Sequence, residues 1–343
     1  MKITSVTFVV LMLSQSLSAQ PLINPSQSGK EVGGSCVLRL KPAVGDVFHY
    51  KLSFKRQVSI KNSDDLFRVG DWLTLKPNDK ASASTNFFIT ITVRSRRIND
   101  ATDFQLRIDS IHHTIDNNGV QNSFSSARFE DRSNPLFSRI GVLGGYDFGG
   151  IYDSTGSDKD FYGYYNVVDE IYAGLEDSLQ TDDEQSTLED QVSATLKNDF
   201  DNIFPFLPED SVGKDSSFTT SYKEDDAVWG NLTFPMQKNF KQTVLRLEEK
   251  DSRVYAVFSE EASLSPVERV LDDTVYRTTL PTFTYENKDV RYLDIRTGML
   301  AYSRRTEEKS FSMKIESKSI DKEGKSFATV QRSKQETVVE LLR

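Results

Sequence analysis

Few residues of this chain have the type and spacing that chemistry requires. Asp153, Asp158 and Asp160 lie close together beside glycines. Carboxylates and carbonyls in irregular loops are the oxygen donors that a hard cation such as calcium accepts, so these three are the candidate metal ligands. Their spacing fits no EF-hand loop, and an acidic stretch of this kind is ordinarily a solvated loop. Glu189, Asp190, Asp199 and Asp201 surround a predicted helix, where a solvated face is the ordinary explanation. The histidines are His49, His112 and His113. The last two are neighbours in a predicted strand, so they point to opposite faces and do not share a metal.

The chain contains no His-Glu-x-x-His, Gly-x-Ser-x-Gly or Walker sequence, which removes the most readable hydrolase and nucleotide-dependent classes. Ser211-Val212-Gly213-Lys214 and Ser319-Ile320-Asp321-Lys322 have Ser-x-x-Lys spacing, but neither opens a helix. The glycines from Gly141 to Gly150 do not follow Gly-x-Gly-x-x-Gly and suit a tight turn or a close strand crossing. No catalytic residue is assigned, and no cofactor is expected.

The first residues carry an address. Met1-Lys2-Ile3, the apolar run Val6 to Leu13 and the small residues ending at Ala19 read as an export signal cut between Ala19 and Gln20. That run is well short of the ~20 residues a bilayer span needs, so no membrane span is expected. The formal net charge is −9, and removing residues 1–19 takes away only Lys2, leaving −10. Such an acidic chain is not expected to bind nucleic acid, whose phosphates attract clustered Lys and Arg. The one cysteine, Cys36, follows Gly33-Gly34-Ser35 and forms no intramolecular disulfide. The expected destination is the periplasm, or the medium beyond it.

The elements behind these residues are mostly strands. Phe48, Tyr50, Leu52 and Phe54 alternate, as do stretches from Phe87 to Ile98, Phe104 to Ile115 and Phe124 to Phe129. Residues 64–83 read as an irregular loop with one short strand. Helical period occurs only in the middle: Val168, Ile171, Tyr172, Leu175 and Leu179, then Leu188, Val192, Leu196, Phe200 and Ile203, capped at Ser186 or Thr187 and stopped by Pro205. Strands resume from Asn239 to the C-terminus. The lead-in Phe204-Pro205-Phe206-Leu207-Pro208 through Val212-Gly213 loosely repeats Leu40-Lys41-Pro42 through Val44-Gly45. The predicted fold is mainly β: two related antiparallel units, half-barrel or sandwich-like, at 37–165 and 205–343, joined by a helical connector at 166–204. A flexible leader occupies 20–36, because its Pro, Ser, Asn, Gly and Gln residues offer little to bury.

The strand ending in Tyr292-Leu293-Asp294, the turn through Thr297-Gly298 and the returning strand Met299 to Ser303 resemble the strand-turn-strand unit of lipoprotein-carrier-like proteins of Gram-negative envelopes. The paired Val-Gly openings are similar to those of exported bacterial proteins of unknown function. The resemblance implies a curved antiparallel sheet that holds acyl chains against helices, and it identifies no functional residue. The expectation is therefore a non-enzymatic envelope protein that binds a lipid, another apolar ligand or an envelope protein on a concave sheet. Two alternatives stay open: a secreted carbohydrate-active hydrolase using paired carboxylates, and a structural or adhesion module.

Overall fold

The computed structural model describes residues 20–27, 29–61, 67–69, 73–75, 80–132, 134, 137–174, 181–229, 232–272, 276–318 and 326–343. Residues 1–19, where an export signal is expected, lie outside them, as does Ser319 to Lys322, and Gln20 is the first residue described. The N-terminal part comprises β1 (Lys30–Val32), β2 (Ser35–Cys36), β3 (Val47–Lys61), β4 (Phe67–Val69), β5 (Leu73–Leu75), β6 (Lys80–Arg96), β7 (Thr102–Asn117) and β8 (Val120–Ser125). Two single-turn helices follow, α1 (Phe129–Arg132) and α2 (Ser138–Gly141), then β9 (Asp147–Tyr152) and β10 (Asp158–Tyr162). Helices α3 (Tyr165–Ala173) and α4 (Asp182–Asp201) form the connector. The C-terminal part comprises β11 (Val212–Gly213), β12 (Ser217–Trp229), β13 (Leu232–Lys250), β14 (Arg253–Pro266), β15 (Val270–Asp272), β16 (Tyr276–Asp294), β17 (Leu300–Ser317) and β18 (Ser326–Leu342).

The architecture is mainly β and antiparallel, with few helices and no closed barrel. Fourteen of the described strands form one sheet in which β12, β13, β14, β16, β17 and β18 lead directly into β3, β6, β7, β9 and β10. The seam is the full-length pairing of β18 with β3, from His49 opposite Leu342 to Lys61 opposite Val330. Alternation decides the faces. Tyr50, Leu52, Val58 and Ile60 point inward from β3, and Val339 and Leu341 sit beside them from β18. One apolar cluster runs through both parts: Leu52, Ile91 and Phe104 pack in the same body as Val244, Phe258 and Leu293, and Leu196 and Phe200 of α4 close over it. The Tyr50 hydroxyl, fully buried, donates to the Leu300 carbonyl at 2.7 Å across the seam.

The two parts begin with the same device. In one, Gly45 N–H and Asp46 C=O bond to Val93, and the Asp46 carboxylate accepts from Ala43 N–H at 2.9 Å. In the other, Asp215 N–H and Ser216 C=O bond to Val244, and the Ser216 hydroxyl accepts from Gly213 N–H at 3.0 Å. Both ladders slip register at the corresponding place, between Val93 and Ser95 and between Val244 and Arg246.

The parts also hold each other. Leu207 N–H donates to Thr155 C=O at 2.7 Å, and Lys41 N–H donates to Thr297 C=O at 2.8 Å. Each lead-in segment thus seats on a hairpin turn of the opposite part. Gly156 (φ +78) and Gly298 (φ +73) make the approach possible, because a Cβ on the first would land on the Pro205 carbonyl and on the second on the Arg39 carbonyl.

Several details differ from expectation. The stretch Phe124 to Phe129 is not a strand throughout: β8 ends at Ser125, where Ser126 turns back to Ile111, and α1 starts at Phe129. α4 starts at Asp182 rather than at Ser186 or Thr187: Gln185 N–H already bonds Thr181 C=O, and the Thr187 hydroxyl bonds back to Asp183 C=O from inside the helix instead of capping it. The loop after β3 contains two paired short strands, β4 and β5, instead of one. The leader has a seat: Ile23 is buried among Tyr255, Val257, Tyr292 and Tyr302 on the outer face, and β1 pairs with β13. The Lys250 ammonium also donates to the carbonyls of Asn24 and Gln27.

The turn-and-lead-in contact makes a separable prediction. Gly45 also has positive φ (+90), but a Cβ there meets nothing within 4 Å. Gly45→Ala should cost only the conformational strain, ~1–2 kcal/mol. Gly156→Ala and Gly298→Ala should cost a further ~1–3 kcal/mol each for displacing packed backbone. Equal shifts in the urea midpoint at all three positions would mean that the seats are not tightly packed.

Candidate functional site

Inward alternation has a different outcome in the two parts. In the N-terminal part, Leu196 and Phe200 of α4 and Phe137 and Leu143 of the α1–α2 region pack in the same apolar cluster as β3, β6 and β7, with Phe200 against Phe148 and Phe161. Over β13 to β17 the inner face carries two apolar clusters with a gap between them. The distal cluster comprises Phe234, Met236, Leu280, Phe283, Phe311 and Met313. In the gap lies a cleft of about 650 Å³, roofed by the last turn of α4.

Register brings its walls together. Phe240 stands opposite Ala262, Lys238 opposite both Tyr222 and Leu264, Gln335 opposite Glu307, and Thr337 opposite Arg305 and Phe54. Cross-strand neighbours on one face lie within side-chain reach. Tyr222 and Phe240 stack, with ring centroids 5.8 Å apart and 17° between planes. Tyr285 donates to Glu307 at 2.6 Å, and its phenol is raised above the ordinary range by burial and by that carboxylate.

Beneath the cleft is an ionic belt. Arg291 bonds Asp289 at 2.7 Å and Glu260 at 3.1 Å, and Arg305 reaches the same two acids at 3.3 and 3.8 Å. Gln242 donates to Glu260 and Ser303 donates to Asp289. The Asp289 side chain is completely buried, and its two arginines are what makes that tenable. Burial works against the charge on Arg305, but Asp289 and Glu260 outweigh it and hold the guanidinium above its usual range. At the rim Lys238 pairs with Glu224.

Asp199 is the exception. It is half-buried and lines the cleft, and its carboxylate has no hydrogen-bond or ionic partner among the described residues. Desolvation alone pushes its pKa up to about 7. Asp201, two residues on, instead accepts from the Tyr152 hydroxyl at 3.4 Å.

The three candidate metal ligands do not converge. Asp153 closes its own turn, accepting from Thr155 and Ser157, and pairs with Lys159 at 2.8 Å. Burial pushes its carboxyl up, but Lys159 and those turn donors prevail and hold it at about 2. Asp158 pairs with Lys197 of α4 at 2.9 Å, and Asp160 is exposed beyond a register slip in β10. Among the described residues, no group of three or more His, Cys, Asp or Glu is arranged to hold a metal ion. His112 and His113 do face opposite ways. His112 is exposed, and His113 is buried against Phe124 and Phe137 with its Nδ1 2.8 Å from the Thr85 hydroxyl and its pKa lowered to about 4 by desolvation.

A larger groove, about 880 Å³, runs along the opposite face beside Gln57, Ser59, Lys80, Arg332 and Lys334. It has no aromatic wall, and its Lys334 is already paired with Glu308. Aromatic residues therefore separate the two concavities. Phe240 and Tyr285 had no sequence signal apart from strand alternation, whereas Asp199 was visible but is ordinarily read as a solvated helix residue.

Neither a protein-family model nor a curated protein sequence matches the chain. Solved structures that match it weakly include two named proteins. One is lipovitellin, in a study of its lipid–protein interactions: 12% identity, TM-score 0.39, over 88% of this chain and 25% of that one. The chain thus spans about a quarter of the length of lipovitellin. The other is an outer membrane channel from Pseudomonas putida F1, at 8% identity and TM-score 0.17, over 92% of this chain and 99% of that one. No described helix is long and apolar enough to cross a membrane.

Two measurements test this electrostatic description. Asp289→Ala leaves two half-buried arginines to share Glu260 alone and should cost ~3–5 kcal/mol, whereas Glu224→Gln at the rim should cost under ~1 kcal/mol. Asp199 binds a proton more tightly folded than unfolded, so the stability it contributes is complete below pH 3.8 and is lost as pH rises through about 7. Asp199→Asn should therefore match the wild type in thermal midpoint at pH 4 and exceed it at pH 8. A constant difference across that range would show that Asp199 is not desolvated.

Proposed function

We propose that this chain is an exported, non-enzymatic binding protein that holds an amphiphilic small molecule in the cleft over β13 to β17. The observation that carries this reading is the unequal filling of one continuous inner face. Where α4 and the α1–α2 region pack, apolar side chains form one cluster. Over the C-terminal strands and the adjoining β3, Phe54, Phe240, Leu264 and Tyr285 face a cleft that protein does not fill. Apolar and aromatic walls with a few placed polar groups are the usual makeup of a small-ligand site. The charged belt makes the site amphiphilic rather than simply apolar. The export signal at residues 1–19 belongs to the same reading, with the periplasm as destination.

The hydrolase alternative draws on Asp199, since a general acid needs a raised pKa. It also needs a second carboxylate across the scissile bond. Glu224 and Glu307 are engaged by Lys238 and Tyr285, and Asp201 lies on the same helix as Asp199, so these observations favour binding over hydrolysis.

Native mass spectrometry of protein purified from its own envelope should show a stoichiometric adduct. Ala262→Trp, which fills the cleft from a half-buried position, should remove that adduct and weaken a fluorescent amphiphile at least about tenfold while circular dichroism is unchanged. Undiminished binding by a folded Ala262→Trp variant would place the ligand elsewhere.

A further inference from the structure

We infer that the cleft selects a cationic head group, so that its ligand class is an amphiphile bearing a quaternary or protonated amine. The inference rests on the binding reading above and adds the chemistry of the head. Six charged side chains line the cleft: Asp199, Asp201, Glu224 and Glu307 against Lys238 and Arg305. The two bases are already neutralised, Lys238 by Glu224 and Arg305 by Asp289 and Glu260, whose other partner is Arg291. That leaves three acids. Glu307 and Asp201 each accept from a tyrosine hydroxyl; Lys197 also acts on Asp201, and Arg305 and Lys238 on Glu307, but each of these bases is ion-paired to another acid. Asp199 accepts from no side chain among the described residues.

The surroundings of Asp199 reinforce this sign. Lys197 on its own helix is committed to Asp158. From the strands, Tyr222 and Glu224 face the cleft on β12, Lys238 on β13, Tyr285 on β16, and Arg305 and Glu307 on β17. Lys309, the nearby ammonium that acts on Lys238, sits 5.5 Å above the Phe283 ring. An anionic head placed here meets net negative charge in a poorly solvated site. A cation meets a free carboxylate and the stacked rings of Tyr222 and Phe240, and carboxylate plus aromatic faces is the chemistry that recognises quaternary ammonium.

The test uses the full chain and three probes with the same tail, each below its micelle concentration: decyltrimethylammonium, decyl maltoside and decanoate, followed by calorimetry. The ammonium should bind at least about tenfold tighter than either other probe at pH 8. Its head does not titrate, so its affinity should rise about tenfold between pH 6 and 8 as Asp199 ionises around pH 7. Asp199→Asn should flatten that rise. Decanoate or maltoside binding as tightly as the ammonium, or a pH profile in the wild-type protein that is flat, overturns the head-group inference while leaving the cleft as a ligand site. Binding of none of the three overturns both.

Discussion

Everything in this structure depends on the mutual seating of two lead-in segments on two hairpin turns. Pro205 to Leu207 lies on the turn at Thr155 and Gly156, and Arg39 to Lys41 lies on the turn at Thr297 and Gly298. Leu40, Phe204 and Leu207 beside these contacts are buried in the shared apolar cluster. Each contact is a backbone hydrogen bond made possible by a residue without a side chain, so the close approach is specified by geometry as well as by buried area. The consequence is positional. The lead-in from Phe204 to Val212 follows directly from α4, and fixing it fixes where the last turn of the helix lies over the sheet.

That placement makes the cleft. Had α4 slid toward the distal strands, its apolar stripe through Leu196 and Phe200 would meet the cluster around Phe283 and Phe311, and the inner face would be filled. Packed with the N-terminal part, it extends only the polar side chains at its end, Asp199, Asp201 and Asn202, across the gap. The gap is not collapsed because the floor beneath it is ionic. Arg291, Arg305, Asp289 and Glu260 satisfy one another in the plane of the sheet, and bringing apolar side chains down on them would remove solvent from the arginines and carboxylates together. An unfilled cleft and a buried ionic belt are thus one feature seen from two sides.

The strands, the helical middle and the repeated lead-ins are all legible in the sequence, because each depends on local period or on a Pro and Gly signature. Lys41 and Leu207 each donate to a turn of the other part, but the Val-Gly pairs do not correspond: Gly45 bonds Val93 as Asp215, not Gly213, bonds Val244, and the Asp294 to Gly298 turn lies where its residues indicate. The β18–β3 seam is not legible, since alternation states which side chains share a face but not which strand lies alongside. The cleft was hidden for a related reason. Phe54, Phe240 and Tyr285 look like ordinary core aromatics on separate strands, and only register shows that they face a space rather than one another. The inward charges Asp289, Arg291, Arg305 and Glu307 are a detectable signal, at alternate positions on two neighbouring strands, once the inner face is known.

The seam also determines when the molecule can be made. β3 and β18 come from opposite ends of the sequence, and the leader joins them there, with Leu22 N–H bonded to Leu341 C=O and Ile23 buried on the outer face. Pairings so distant close late and slowly, because the loop entropy is lost before any contact compensates for it. A growing chain therefore carries β3 with one open edge until β18 has been made. Until then β3 is paired on its β6 side alone, so the order of synthesis sets the order in which the sheet can close.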